Sequence, residues 1–178
     1  MKSVLISIQP YWVFLIIAKT MGWNIDKEKT VEVRKNYPKD ENWDKVAKIY
    51  CSKDKKSFAK IPKEYQPLMK PFLGKVIGEF RCDRVTGGFW VSPFADYLQK
   101  KSCLSYDEAN AYANGKPLFA WHISNLVIYD KPRDLDYFRK PIDCPRGKDR
   151  ENCKGCWDCE IKRPPQSWCY VESEVEGE

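Results

Sequence analysis

A lysine, a glutamate and an arginine fall at positions 29, 32 and 34 of the chain, inside the run KTVEVRK. An ammonium, a carboxylate and a guanidinium at such spacing suit proton transfer, or the grip of a phosphate beside a polar base edge. Strict alternation argues that KTVEVRK is a β-strand, with Thr30, Glu32 and Arg34 on one face and Lys29, Val31, Val33 and Lys35 on the other. The polar row is then a solvated strand face or the floor of a cleft. Taken by itself it reads as solvated, because exposed charge rows are common. A second group of reactive side chains lies near the C-terminus, where Cys144, Cys153, Cys156 and Cys159 follow one another with eight, two and two residues between them. Cys169 comes next, in PPQSWCYV. Two-residue spacings let successive sulfurs turn onto one tetrahedral ion, and four thiolates close a structural zinc site. Cys144, Cys153, Cys156 and Cys159 are the first choice of ligands, with Cys169 as an alternative for one of them. Disulfides under oxidising conditions, or an iron–sulfur cluster, are the competing readings.

These residues need elements to position them. KSVLISIQ alternates as a first strand, Pro10 sits where a helix begins, and Tyr11 to Met21 is apolar nearly all round, as in a core helix. Trp12 reads as core or as a wall of the cleft. Gln9 stands at the corner between strand and helix. WDKVAKIYCSK (43–53) and GKVIGEFRCDRV (74–85) read as strands; Gly78 in the second marks a bulge or a close backbone approach, and Glu79 follows it. GGFW reads as a turn. SYDEANAYANG carries Ser105, Glu108 and Gly115, a capping box and a stop signal for a helix. PLFAWHISNLVIYDKP reads as one strand of about ten residues with Trp121, Ile123, Asn125 and Val127 on one face. His122 is the single histidine of the chain, and a lone histidine is more often structural than catalytic. QSWCYVESE reads as a closing strand that returns to the fold.

SIQPYW, an apolar helix and then KTVEVRK together resemble the ASCH family, which has a PUA-like β-barrel and a G-x-K-x-x-E-x-R hallmark. Lys29, Glu32 and Arg34 match its last three fixed positions, and Lys27 stands where its glycine would be. GKVIGEF and LFAWHISNLVIYDKP are similar to later strands of small ASCH proteins of the phage type, so the resemblance spans roughly residues 3 to 138. It implies an α+β fold: a mixed barrel of about five to six strands flanked by short helices. It also implies a cleft lined by Gln9, Trp12, Lys29, Glu32, Arg34 and Trp121 that meets RNA or another single-stranded nucleic acid. The hallmark does not include the cysteines. The expected organisation is therefore a barrel over 1–140, a cysteine-rich, zinc-knuckle-like segment over 141–170, and an acidic disordered tail over 171–178.

Composition narrows the function classes. The net charge is +6, with nine lysines and two acids between residues 45 and 75, and four glutamates among the last nine residues. A basic block with aromatics nearby fits nucleic acid, or a solvated loop. No run is long enough to span a bilayer, and no targeting segment is evident, so a cytoplasmic protein without a membrane partner is expected. Nucleotide-cradling glycine motifs and a G-x-S-x-G elbow are missing, which argues against a nucleotide cofactor and α/β-hydrolase chemistry. Three functions stay open. One is a nucleic-acid-binding module, with or without a regulatory role. The second, implied by the resemblance, is a small-nucleoside amidohydrolase of the N4-acetylcytidine type or a ribonuclease, with Lys29, Glu32 and Glu79 as catalytic candidates. The third is a zinc-stapled adaptor or regulator.

Overall fold

The structure, a computed structural model, describes residues 2–39, 45–88, 94–143, 145–147, 156 and 158–172. Among these, eight strands form two sheets. Strand β1 (Lys2–Ile8) leads into helix α1 (Pro10–Ile17), and β2 (Val31–Arg34) follows. Then come β3 (Lys45–Cys51), the short helices α2 (Lys55–Phe58) and α3 (Gln66–Met69), β4 (Val76–Cys82) and β5 (Val85–Gly88). Helices α4 (Phe94–Ser102) and α5 (Tyr106–Ala113) precede β6 (Leu118–His122), β7 (Ser124–Arg133) and β8 (Trp168–Glu172).

The larger sheet has the order β7-β4-β3-β1-β8, and the smaller one β2-β6-β5. Only the β1–β3 pair is parallel among the described pairings. A parallel pair requires a crossover. Here the crossover is α1 with β2, and it carries the chain from the large sheet to the small one and back. Helix α1 buries Val13, Phe14, Leu15, Ile16 and Ile17, as expected of a helix that is apolar all round. Phe14 stacks on Trp23 at 5.7 Å and meets Tyr65 at a tilt at 5.3 Å.

Three apolar clusters follow from the alternation of the strands. Ile6, Ile8, Phe14, Ile49, Phe80 and Trp121 share the main core. Leu5, Tyr50, Val76, Phe138, Ile161 and Val171 cover the opposite face of the large sheet. Val31, Val33, Leu118 and Ala120 pack beneath Leu98 of α4 and Ala109 of α5. Both faces of β2 are therefore covered, and all four of its residues are buried. The solvated reading of KTVEVRK is overturned: alternation separates two faces but does not say what lies over each.

Two expectations about the strands need correction. LFAWHISNLVIYDKP is two strands in different sheets. Asn125 has a left-handed φ of +46°, and the alternation breaks around it. Leu126 and Ile128 now pack on the main core, and Val127 is exposed. The expected shared face of Trp121 and Val127 does not exist. Gly87 and Gly88 belong to β5, paired with Phe119 and Leu118, and do not form a turn. Both changes raise the strand number above the five or six expected. Gly78 behaves as read: the β4–β7 register shifts beside it, and a Cβ there would lie 2.2 Å from the Val127 carbonyl oxygen. Ser105 and Glu108 form the capping box of α5, and β8 returns to pair with β1. Residues 173–178 lie outside the described residues.

Candidate functional site

Lys29, Glu32 and Arg34 meet between the two sheets. In β2 the Glu32 and Arg34 side chains lie on the face opposite Val31 and Val33, the pair that packs on Leu98 and Ala109, and Trp121 is the cross-strand partner of Glu32. Strand β2 begins only at Val31. Before it the chain is irregular: the Lys29 amide donates to the Leu15 carbonyl and the Thr30 amide to the Lys101 carbonyl. Lys29 escapes the alternation and joins the side of Glu32, opposite to what strict parity assigns it. Its Nζ lies 3.4 Å from Glu32 Oε2, donates to the Ser102 carbonyl at 2.8 Å, and sits 5.1 Å from the centre of the Trp12 ring. An Arg34 Nη2 contacts Glu32 Oε1 at 3.0 Å and donates to the Ser7 carbonyl at 2.5 Å. The Tyr112 side chain also hydrogen-bonds Arg34.

Burial sets the electrostatics of this row. Lys29, Glu32 and Arg34 are 2%, 6% and 7% exposed. Desolvation pushes the Lys29 ammonium below its ordinary pKa, and the Glu32 carboxylate opposes that shift. A lysine so placed gives up its proton more readily than a surface lysine and can serve in proton transfer. Cys103 is nearby, but burial raises its thiol pKa, which disfavours a thiolate nucleophile there. Arg34 Nε has no hydrogen-bond partner, and Glu32 Oε2 has only the Lys29 ammonium, at 3.4 Å and without a well-aligned hydrogen bond. A buried donor left unmet is costly, and a polar ligand that accepted from Arg34 Nε and donated to Glu32 would recover that cost. Ser52 Oγ and Ser167 Oγ are unmet as well. Both belong to residues whose backbones bond the C-terminal half of β1, through Ile8 and Ser7.

The surroundings are basic. Gln9 is exposed at the N-terminus of α1 and makes no capping bond. Trp12 is half-buried and meets Tyr11 edge-on at 5.1 Å. The Tyr11 amide donates to Ser57 Oγ of α2 at 3.0 Å, so α1 and the lysine block are joined. Lys53, Lys55, Lys56, Lys60, Lys63 and Lys70 of that block are exposed. On the other side of Lys29, an open groove of about 540 Å³ is lined by Lys27, Thr30, Lys100, Lys101 and Cys103, among others.

Other residues singled out in the sequence go elsewhere. Trp121 is fully buried in the main core, and its indole N–H donates to the Asn36 carbonyl at 3.3 Å. It borders the row from within and presents no open ring face. Glu79 is not brought to Lys29. It lies on the far side of the large sheet, where Lys48 donates to its Oε2 at 2.9 Å and the Tyr129 hydroxyl at 2.7 Å. These two hydrogen bonds, with the charges of Lys48 and Arg133, outweigh burial and hold the Glu79 pKa below its ordinary value. Glu79 stays an anion there and is a poor proton donor. His122 accepts from Arg84 on Nδ1 at 3.1 Å and contacts Thr86 Oγ1 through Nε2 at 3.0 Å. Arginine cannot accept, so the neutral ring carries its proton on Nε2. Sequence reading missed Ser7, Ser102 and Tyr112, whose contacts to the row span long separations that no local spacing reports.

Cys156 and Cys159 are buried and Cys169 is half-buried, whereas Cys144 and Cys153 lie outside the described residues. No group of three or more His, Cys, Asp or Glu side chains is placed to hold a metal among the described residues. No helix among them is long and apolar enough to cross a membrane.

No protein-family model and no curated protein matches the chain. Solved structures do. The chain is similar to the ASCH protein of Zymomonas mobilis, with a TM-score of 0.51 and 20% identity over 97% of this chain and 89% of that one. The chain has the ASCH fold. A mutant of the same protein with phenylalanine in place of a tyrosine gives a TM-score of 0.54 at 18% identity, covering 97% of this chain and 91% of that one. A serine-to-alanine mutant gives 0.52 at 18%, covering 96% and 88%. The shared ASCH fold thus reaches well past residue 138, where the resemblance in the sequence stops.

Proposed function

We propose that the protein binds single-stranded RNA through the Lys29–Glu32–Arg34 row. The observation that carries this reading is a buried charged row with hydrogen-bonding capacity to spare, an unmet Arg34 Nε and a Glu32 Oε2 held only by the Lys29 ammonium, beside a half-buried tryptophan. A base edge supplies both an amino donor for Glu32 and an acceptor for Arg34. Trp12 offers an aromatic edge against which an unstacked base can pack. The exposed lysines of 53–70 supply the charge that a sequence-independent phosphate track needs. The ASCH fold supports the reading by analogy alone, since a fold hosts many functions.

The test is binding of short single-stranded RNA at two salt concentrations. Lys29→Met and Arg34→Met keep the apolar stems and remove the charges. Both variants are expected to bind at least about tenfold more weakly, the loss of a charged contact being about 1.5–3 kcal/mol. The double variant Lys56→Ala/Lys60→Ala is expected to weaken binding uniformly and to flatten the salt dependence by about 1.4 units of slope. Binding equal to wild type in folded Lys29→Met and Arg34→Met would refute the assignment.

A second reading is favoured by one observation, the depressed pKa of Lys29 against a buried carboxylate. In that reading the same cleft hydrolyses a small modified nucleoside or cleaves RNA, with Lys29 moving the proton and Glu32 positioning it. Turnover of N4-acetylcytidine or of RNA, lost in Lys29→Met, distinguishes it from binding alone.

A further inference from the structure

We infer that Cys156 and Cys159 are half of a four-thiolate zinc site completed by Cys144 and Cys153. The two described cysteines form a buried cluster of their own, 6% and 4% exposed, apart from the three apolar clusters of the fold. Among the described residues these two thiols pack on each other and not on the apolar clusters of the fold. The backbone between them is turned as a metal knuckle requires: the Cys159 and Glu160 amides both donate to the Cys156 carbonyl, at 3.2 and 3.0 Å. That tight turn puts two thiols three positions apart on one side, the arrangement a C-x2-C pair adopts on a tetrahedral ion.

The structure also brings Lys140 and Arg146, which flank position 144 in the sequence, to this turn. Arg146 Nε pairs with Asp158 Oδ2 at 3.2 Å. Lys140 Nζ donates to the Asp158 carbonyl at 2.9 Å, and the Lys140 amide to the Cys159 carbonyl at 2.8 Å. Residues four before and two after position 144 thus both hold the residues between and at the two buried thiols. Cys153 is tied to Cys156 by its own two-residue spacing. Cys169 packs instead against the cluster of Leu5, Phe138 and Val171, which argues for Cys144 as the fourth ligand. Binding of Zn²⁺ releases four thiol protons to solvent and leaves a site of net charge −2, with the Lys140 ammonium close by. A turn so anchored needs only the ion to fix it. The bridge between Arg139 and Glu160 and the burial of Ile161 connect it to the far face of the large sheet.

The experiment is metal analysis of the full chain purified under reducing conditions from zinc-supplied medium. About one zinc per chain is expected, falling about tenfold or more in Cys156→Ser, Cys159→Ser, Cys144→Ser and Cys153→Ser and unchanged in Cys103→Ser and Cys169→Ser. To separate loss of a ligand from loss of order in the variants, the wild-type protein is also loaded with Co²⁺, whose sulfur-to-metal charge-transfer band reports the thiolate count directly; four are expected. Iron with sulfide in place of zinc, a Cys156–Cys159 disulfide in the reduced preparation, no uptake of Zn²⁺ or Co²⁺, or zinc lost in Cys169→Ser but kept in Cys144→Ser would each overturn the assignment.

Discussion

Replacing Glu32 by glutamine tests whether the charged row is a coupled buried unit. The change keeps the shape of the side chain and removes one negative charge from between two cations that are 2% and 7% exposed. Glu32 lies 3.0 Å from Arg34 and 3.4 Å from Lys29. At an effective dielectric of about 20, each contact is about 5 kcal/mol of attraction. The full sum will not be lost. Lys29 can shed its proton, because burial already depresses its pKa and Glu32 is the main influence raising it. Arg34 cannot deprotonate, but it keeps the Ser7 carbonyl and Tyr112. The expected net loss is about 3–5 kcal/mol at pH 7, the range seen when one partner of a buried pair is removed. The pH dependence carries the sharper signature. A lysine with a depressed folded pKa binds fewer protons folded than unfolded, so stability rises with pH between the folded value and the ordinary 10.5. Without Glu32 the depression deepens, so the deficit of Glu32→Gln must shrink as pH rises from 7 toward 10. Urea unfolding followed by tryptophan fluorescence at pH 7 and 9.5 measures both quantities. A deficit under about 1 kcal/mol, below any range for a broken buried pair, that is also flat with pH would refute the reasoning.

Two further perturbations follow from geometry elsewhere. Gly78→Ala places a Cβ 2.2 Å from the Val127 carbonyl oxygen, and should lower stability by about 1–3 kcal/mol through forced separation of β4 and β7; thermal unfolding with a Tm within about 1 °C of wild type would contradict the close approach. For His122, burial and then the Arg84 charge hold its pKa below 6.5. Its contribution to stability is complete above pH 6.5 and declines as pH falls through the lowered folded value, with a slope of at most about 1.4 kcal/mol per pH unit. His122→Asn keeps an acceptor for Arg84 and removes the titration, so its stability between pH 5 and 7 should vary less than that of wild type in chemical denaturation.

Much of the fold could be read from local pattern, and the failures have physical causes. Ser105, Glu108 and the residues after them announced α5 because a capping box is a contact between residues three apart. Proline at the start of an apolar run announced α1 for the same local reason. The split between β6 and β7 was hidden because both halves are rich in strand-favouring residues, aromatic in β6 and β-branched in β7; the sign was Asn125, which adopts the left-handed conformation more readily than its neighbours. Glu79 looked available for chemistry because its partners, Lys48 and Tyr129, are 31 and 50 residues away along the chain.

The row itself shows the limit most clearly. Periodicity assigned Lys29 to the face of Val31 and Val33, and the rule fails there because it describes residues inside a strand, whereas β2 starts two residues later. What brings Lys29 to Glu32 is the Leu15 carbonyl of α1 holding its amide and the Ser102 carbonyl of α4 holding its ammonium. Neither anchor is near in sequence, and neither is a side chain, so no choice of residue type at 15 or 102 advertises it. The burial of Glu32 and Arg34 has the same origin. Their face of β2 is covered only because the chain crosses from one sheet to the other between β1 and β3, leaving Ser7 opposite Arg34. A row of charges on a strand is ordinarily a surface. Here the crossover makes it an interior, and the interior placement is what depresses Lys29 and leaves Arg34 Nε unmet. The chemistry proposed for the site is thus a consequence of topology acting on residues whose local pattern favoured solvent.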